Sequence, residues 1–269
     1  MAARYWVGTT TSWNTSANWS ATSGGAGGAG VPTSADDAIL DSNGTSDCDV
    51  DYSFAACKTL TIASGYTGTL DITTGNSLLV IGNYTDNTSG SLISTGTGEL
   101  KLVPASYGTQ TIIATLIDAK ITFFAGANRH SITIIFASSM TIGGNIVVNS
   151  QYSGPAPNVF DLATYNIDLT LRGGLSHTGA YTSTMFSWSK GTGTITAAGT
   201  ADQDWDFNGE SVEDIDIDKT SGTVSLTGIV TTDSFTLTSG TFDANANTLT
   251  TTGNFTQAAG TTVLDTGGA

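Results

Sequence analysis

Gly240-Thr241-Phe242-Asp243-Ala244-Asn245-Ala246-Asn247-Thr248-Leu249-Thr250-Thr251-Thr252-Gly253-Asn254-Phe255-Thr256 carries the pattern on which the fold turns. An apolar residue and an aspartate end one strand, an asparagine marks a corner, Leu249 sits in a second strand, and Gly-Asn precedes the next apolar residue. The outline recurs upstream. Leu70-Asp71 leads to Asn76, Leu78 and Gly82-Asn83-Tyr84-Thr85, while Phe160-Asp161 leads to Asn166, Leu169 and Gly173-Gly174-Leu175. Met140-Thr141-Ile142-Gly143-Gly144-Asn145-Ile146 is a partial copy. The glycines at 82, 144, 173 and 253 stand 62, 29 and 80 residues apart, which implies irregular coils.

Between these copies the chain alternates apolar and polar residues, as half-buried strands require. Leu60 and Ile62, Leu70 and Ile72, Ile121–Phe123, Ile132–Ile134, Met140–Ile142, Ile146–Val148, Leu169–Leu171, Val224–Leu226 and Phe235–Leu237 all follow this rule, as does the region of Val263. No stretch has a helical period. Repeats of this size without helix predict stacked coils, each burying its apolar side only against a neighbour. A pair of β-sandwich domains with a boundary near Gly154-Pro155-Ala156-Pro157 is the competing reading, because frequent turn signals suit it equally. The threefold outline favours the solenoid. The expected fold is therefore all-β, a right-handed parallel β-helix, with residues 1–41 as a Trp/Gly-rich N-terminal cap or attachment segment and 42–269 as solenoid repeats.

Composition agrees with strands and turns. The 269 residues include 33 Gly and only 4 Pro, and 39% are hydrophobic, enough for a real core. Only 12% are charged, and 23 acidic residues against 8 Lys plus Arg give a formal charge of -15. That balance argues against nucleic acid and against anionic membrane surfaces as partners, since both need a basic footprint. A surface of Thr, Ser and Asn suits a protein outside the cytoplasm. Met1-Ala2-Ala3-Arg4-Tyr5-Trp6 does not read as a secretory leader, and no apolar run approaches a membrane span. A virion protein released by lysis reconciles the two observations; a mature or recombinant fragment is the alternative. Cys48 and Cys57 could pair across strands, although two cysteines make no disulfide scaffold, and two buried small residues is the preferred reading.

Arg4-Tyr5-Trp6-Val7-Gly8, Trp13, Asn18-Trp19-Ser20, the Gly/Ala-rich loop and Val31-Pro32-Thr33-Ser34-Ala35-Asp36-Asp37 resemble the start of phage tail-fibre-like and virion structural proteins. The later Gly-Thr-Phe-Asp and Gly-Asn-Phe-Thr units are similar to coils of filamentous-haemagglutinin-type adhesins. The resemblance implies a β-helix in an appendage: a tail fibre, spike or capsid-attached decoration. It carries no active site. Cellular surface adhesins or filament subunits are the second reading, and a glycan-depolymerase tailspike the third.

Four groups of residues invite a functional reading. Trp6, Trp13 and Trp19 could stack on sugar rings with Asn14 and Asn18 bonding hydroxyls, although covering the exposed end of a solenoid explains them better. Asp214, Asp216 and Asp218, like Asp47, Asp49 and Asp51, alternate with apolar residues and so share one face. Carboxylates ~7 Å apart along a strand could collect Ca²⁺ with help from a neighbouring coil, though a solvated face that resists aggregation is the plainer account. No other cofactor is expected. Asp202, Asp204, Asp206 and Glu210 around Trp205 are the best candidates for paired glycosidic carboxylates, but acidic residues in a turn are ordinary and the expectation is no catalysis. His130 and His177 fall in no nucleophile motif. The partners expected are further copies of the chain, as a trimer or head to tail, other virion or surface proteins, and host surface glycans.

Overall fold

The computed structural model describes residues 2–104, 108–123, 132–149, 157–178 and 186–263. His130, positions 154–156 of the proposed sandwich boundary and the terminal run 264–269 lie outside them. The chain is a β-solenoid of about nine turns, with one short 3₁₀ turn among the described residues, at Ser16–Asn18. Among the described residues no helix is long and apolar enough to cross a membrane.

Each coil visits three faces. Asp37–Leu40 lies on the first face, Cys48–Val50 on the second and Ala55–Cys57 on the third, and Thr59–Ile62 then returns to the first. Strands one coil apart pair in parallel: Asp37 with Thr59, Cys48 with Leu70, Ala55 with Leu78. The first face continues through Tyr84–Asp86, Thr109–Ile113, Thr133–Phe136 and Asn158–Asp161 to Phe186–Ser189. This ladder crosses the proposed sandwich boundary without a break, since Thr133 pairs with Val159 and Ile146 with Leu175. Two separate sandwiches are therefore excluded.

Alternation produces the core. On the third face the inward row runs Ala55, Leu78, Leu100, Ile121, Ile146, Leu175, Trp205, Leu226, one residue per coil in unbroken register. All eight are buried. Burying one Leu or Ile contributes about 1.5–3 kcal/mol, too little to offset the ordering entropy of the twenty or more residues in a coil unless a neighbouring coil shares the core. From Thr141 onward the outward row of the second face is small and polar. Thr141, Thr170, Thr196, Asp216, Thr236 and Thr256 stack in this way on the second face.

The structure also redefines the repeat. Leu70 lies on the second face, Phe160 on the first and Phe242 on the third. The sequence outline is therefore a strand, corner, strand unit that recurs at different faces, and this explains its uneven spacing. Of the glycines at 82, 144, 173 and 253, only 144 and 173 occupy equivalent places: a Cβ on Gly173 would stand 2.4 Å from the Gly144 carbonyl oxygen beneath it.

The first 41 residues contribute rungs to the same ladder. Ala3–Trp6 pairs in parallel with Asp37–Leu40 and antiparallel with Trp19–Ser20, which lies outside it at the edge of the sheet. The Gly/Ala-rich stretch forms the loop between Trp19–Ser20 and Asp37–Leu40, as its glycine content predicts.

Candidate functional surface

The tryptophans are not a sugar platform. Trp6, Trp13 and Trp19 are all completely buried, packed edge to face with centroids 5.2 Å apart for Trp6 and Trp19 and 4.7 Å for Trp13 and Trp19. The Trp6 indole N–H donates to the Ser46 carbonyl at 3.0 Å and that of Trp19 to the Trp13 carbonyl at 2.8 Å. Asn18 is buried as well: its Oδ1 accepts from the Thr9 and Thr10 amides at 2.9 Å, and its Nδ2 donates to the Ser12 carbonyl at 2.7 Å. Large aromatics in a short segment fill the core here because their area outweighs any alternation signal.

The acidic stripe does face outward, but it ties coils together. Asp214 Oδ1 accepts from the Ser234 amide at 2.9 Å, Asp216 Oδ1 from the Thr238 hydroxyl at 2.8 Å, and Asp218 Oδ1 from the Ser239 hydroxyl at 2.9 Å. Asp47 does the same for the Thr69 amide at 2.8 Å. Each carboxylate thus bonds to the following coil. Among the described residues no three His, Cys, Asp or Glu side chains gather into a metal site.

The carboxylates near Trp205 divide similarly. Trp205 itself is fully buried and offers no face to a sugar. Asp202 Oδ1 accepts from the Thr223 amide and Asp206 Oδ1 from the Asn208 amide, both at 2.8 Å, while Glu210 Oε2 accepts from the Trp188 amide at 3.2 Å. Asp204 is exposed and lines, with Asp202, Lys120, Asn145 and Ser176, an open groove of 420 Å³. Sequence reading missed Glu213, which is buried at the corner after Ser211–Val212. Its carboxylate accepts from the Trp188 indole and the Gly191 amide, both at 2.7 Å. Burial pushes the Glu213 acid above the usual carboxylate range, with these bonds opposing, and burial does the same to Glu210. The only signal in the sequence is the loss of alternation at Val212-Glu213-Asp214.

His177 stands in an inward row, following Leu102, Phe123 and Val148. Its side chain is buried against Phe186, centroids 4.8 Å apart, and neither ring nitrogen makes a hydrogen bond of ordinary geometry; Asp206 Oδ2 lies 3.9 Å from Nδ1. Burial holds the imidazole below its usual value and the Asp206 carboxylate opposes this. The unfolded chain therefore binds the proton more readily, so stability from neutral His177 is full above about pH 6.5 and is lost as the pH falls below it. His177→Phe should raise the urea midpoint relative to the parent chain, and the gain should grow from pH 8 to pH 5. A gain independent of pH would show that His177 does not titrate on unfolding. Cys48 and Cys57 are free buried thiols, both pushed up by burial.

The outward side of the third face, half-buried for most of its length and buried at Thr122, has a different character. Ala56, Leu79, Lys101, Thr122, Val147 and Ser176 succeed one another up the coils, beside the row Ser77, Glu99, Lys120. Lys101 and Lys120 bracket Glu99, with ammonium to carboxylate distances of 3.3 and 3.2 Å. The Thr122 hydroxyl also bonds Glu99, and together these groups hold that carboxyl below its ordinary range against the effect of burial. At the start of the row, the corner leading into Ala55–Cys57 exposes Tyr52 and Phe54.

Three faces, parallel rungs and corners tied by side-chain hydrogen bonds define the class: a parallel β-solenoid of irregular coils. No protein-family model, curated protein or solved structure matches the chain.

Proposed function

We propose that the chain is a non-enzymatic structural component of a virion appendage, a tail fibre, spike or capsid-attached decoration, in which the solenoid supplies a stiff shaft and its outer surface meets the host. The observation that carries this reading is the eight-coil inward row from Ala55 to Leu226, kept in register. Such a ladder resists bending because every rung is hydrogen-bonded to its neighbours and close-packed beneath. Support for an outside location comes from the surface, where Thr, Ser and Asn replace charged residues. Three of the four acids best placed in sequence for glycoside cleavage, Asp202, Asp206 and Glu210, accept from backbone amides instead, which supports a mechanical role. The antiparallel Trp19–Ser20 strand beside Ala3–Trp6 supports a capping role for the N-terminal segment.

The expected partners are further copies of the chain and other virion proteins. Peptide mass spectrometry of particles purified from lysed producing cells tests the assignment. Peptides of this chain should copurify with particles through a density gradient at a constant ratio to the major capsid protein. Recovery only with the envelope of intact cells would favour a cell-surface adhesin.

A further inference from the structure

We propose that the Tyr52–Phe54 corner and the outer surface beside it form a binding subsite for a neutral hexose-containing glycan. Phe54 is 78% exposed and Tyr52 40%, in a chain that buries Phe123, Phe136, Phe160, Phe207, Phe235 and all five tryptophans. The two exposed rings meet edge to face with centroids 5.7 Å apart, so each holds the other. The corner is also pinned by its backbone: the Ala55 amide donates to the Tyr52 carbonyl at 3.3 Å, and the Ser77 hydroxyl to the Ser53 carbonyl at 3.4 Å. A large apolar ring held in water without a folding role is the kind of feature that marks a binding surface.

Beside it lies a hollow of 340 Å³, lined by Ser53, Phe54, Ala56, Ser77, Leu79 and Lys101. This is the size of a small-ligand site, with an apolar floor and a few polar groups at its rim. The chemistry matches a pyranose ring. Its C–H face packs on an aromatic ring, and its hydroxyls meet the Ser53 and Ser77 hydroxyls and the Lys101 ammonium. Charge decides between neutral and acidic sugars. Lys101 shares Glu99 with Lys120, and it is the formal charge of -15 on the whole chain that repels a polyanionic glycan. The ammonium then acts as a hydrogen-bond donor to a neutral ring. Beyond Lys101 the outer row passes through Thr122, which is buried with its hydroxyl bonded to Glu99, so the subsite ends at Lys101.

This inference extends the surface-contact part of the proposed function, but its test does not depend on where the chain resides. Native gels cast with dextran, galactomannan or laminarin provide neutral probes, and polygalacturonate provides the acidic one. The full chain should be retarded by at least one neutral polymer, and Phe54→Ala should weaken that retardation at least tenfold. Unchanged circular dichroism and melting temperature for the variant would exclude misfolding. Lys101→Gln should weaken retardation less than Phe54→Ala does. No retardation by any neutral polymer, equal retardation of Phe54→Ala, or stronger retardation by polygalacturonate would overturn the proposal. So would a concentration-dependent dimer in sedimentation that Phe54→Ala abolishes, since that would assign the patch to a second copy.

Discussion

Gly98→Val and Gly193→Val are each expected to lower stability by about 3 kcal/mol or more, read as a fall in the urea midpoint, because overpacking against immovable backbone lies at the costly end of its range. A Cβ on Gly98 would stand 1.8 Å from the Ile72 carbonyl oxygen, and one on Gly193 2.0 Å from that of Ile167. Both are atoms of the preceding coil. Neither backbone can retreat, since Gly98 and Gly193 lead directly into Glu99–Leu102 and Thr194–Ala197, which pair with both neighbouring coils or stand between them. Neither glycine has a positive φ, so closeness alone requires it. Gly75 is the control: its φ is +78° and nothing lies within 4 Å of a Cβ there. Gly75→Asn should cost less than about 1 kcal/mol, because Asn tolerates this conformation. Equal losses at all three sites would mean that coil contact is not what these corners require.

Phe160→Ala should cost about 3–5 kcal/mol. Phe160 is the hub of the aromatic stack: its ring lies 4.7 Å from Phe123, 5.5 Å from Phe136, 5.0 Å from Phe186 and 5.9 Å from Trp188. These four residues come from three strands on two faces, so the cavity would open between coils where no single side chain can refill it. Phe255→Ala is the comparison. Phe255 is 47% exposed and among the described residues stacks only on Phe235, 5.1 Å away and 13° from parallel, so the loss there should be smaller by several fold. Thermal or urea unfolding monitored by circular dichroism reads both. A Phe160→Ala loss no larger than that of Phe255→Ala would contradict the packing described.

Much of this architecture was legible in the alternation. Leu60 with Ile62, Leu70 with Ile72, and Ile146 with Val148 are inward pairs in the structure as the period of two requires. The coil repeat was harder to read. True partners such as Cys48 and Leu70, or Phe235 and Phe255, are separated by 22 and 20 residues, whereas Met140 and Leu169 are separated by 29. Corners absorb the variation, so the most conspicuous similarity joined units from different faces.

Side-chain roles followed the same logic. Asp214, Asp216 and Asp218 were correctly read as an outward row, but their bonds to Ser234, Thr238 and Ser239 depend on which coil lies next, and one strand cannot disclose that. The tryptophans sit where spacing carries little information, in a segment with an irregular loop and a 3₁₀ turn. Tyr52 and Phe54 follow Cys48 and Val50 at the same spacing of two, so alternation alone does not set them apart from core residues. The chain turns at Asp51, however, and carries both rings out to solvent.

Immunogold electron microscopy of particles from lysed producing cells, with antibody raised against the full chain, tests the central claim most directly. Gold should decorate a thin projecting appendage at a fixed site on each particle, and the label should disappear from particles made without this gene product. Label confined to the cytoplasm or to the surface of intact cells, with particles and their appendages unmarked, would contradict it.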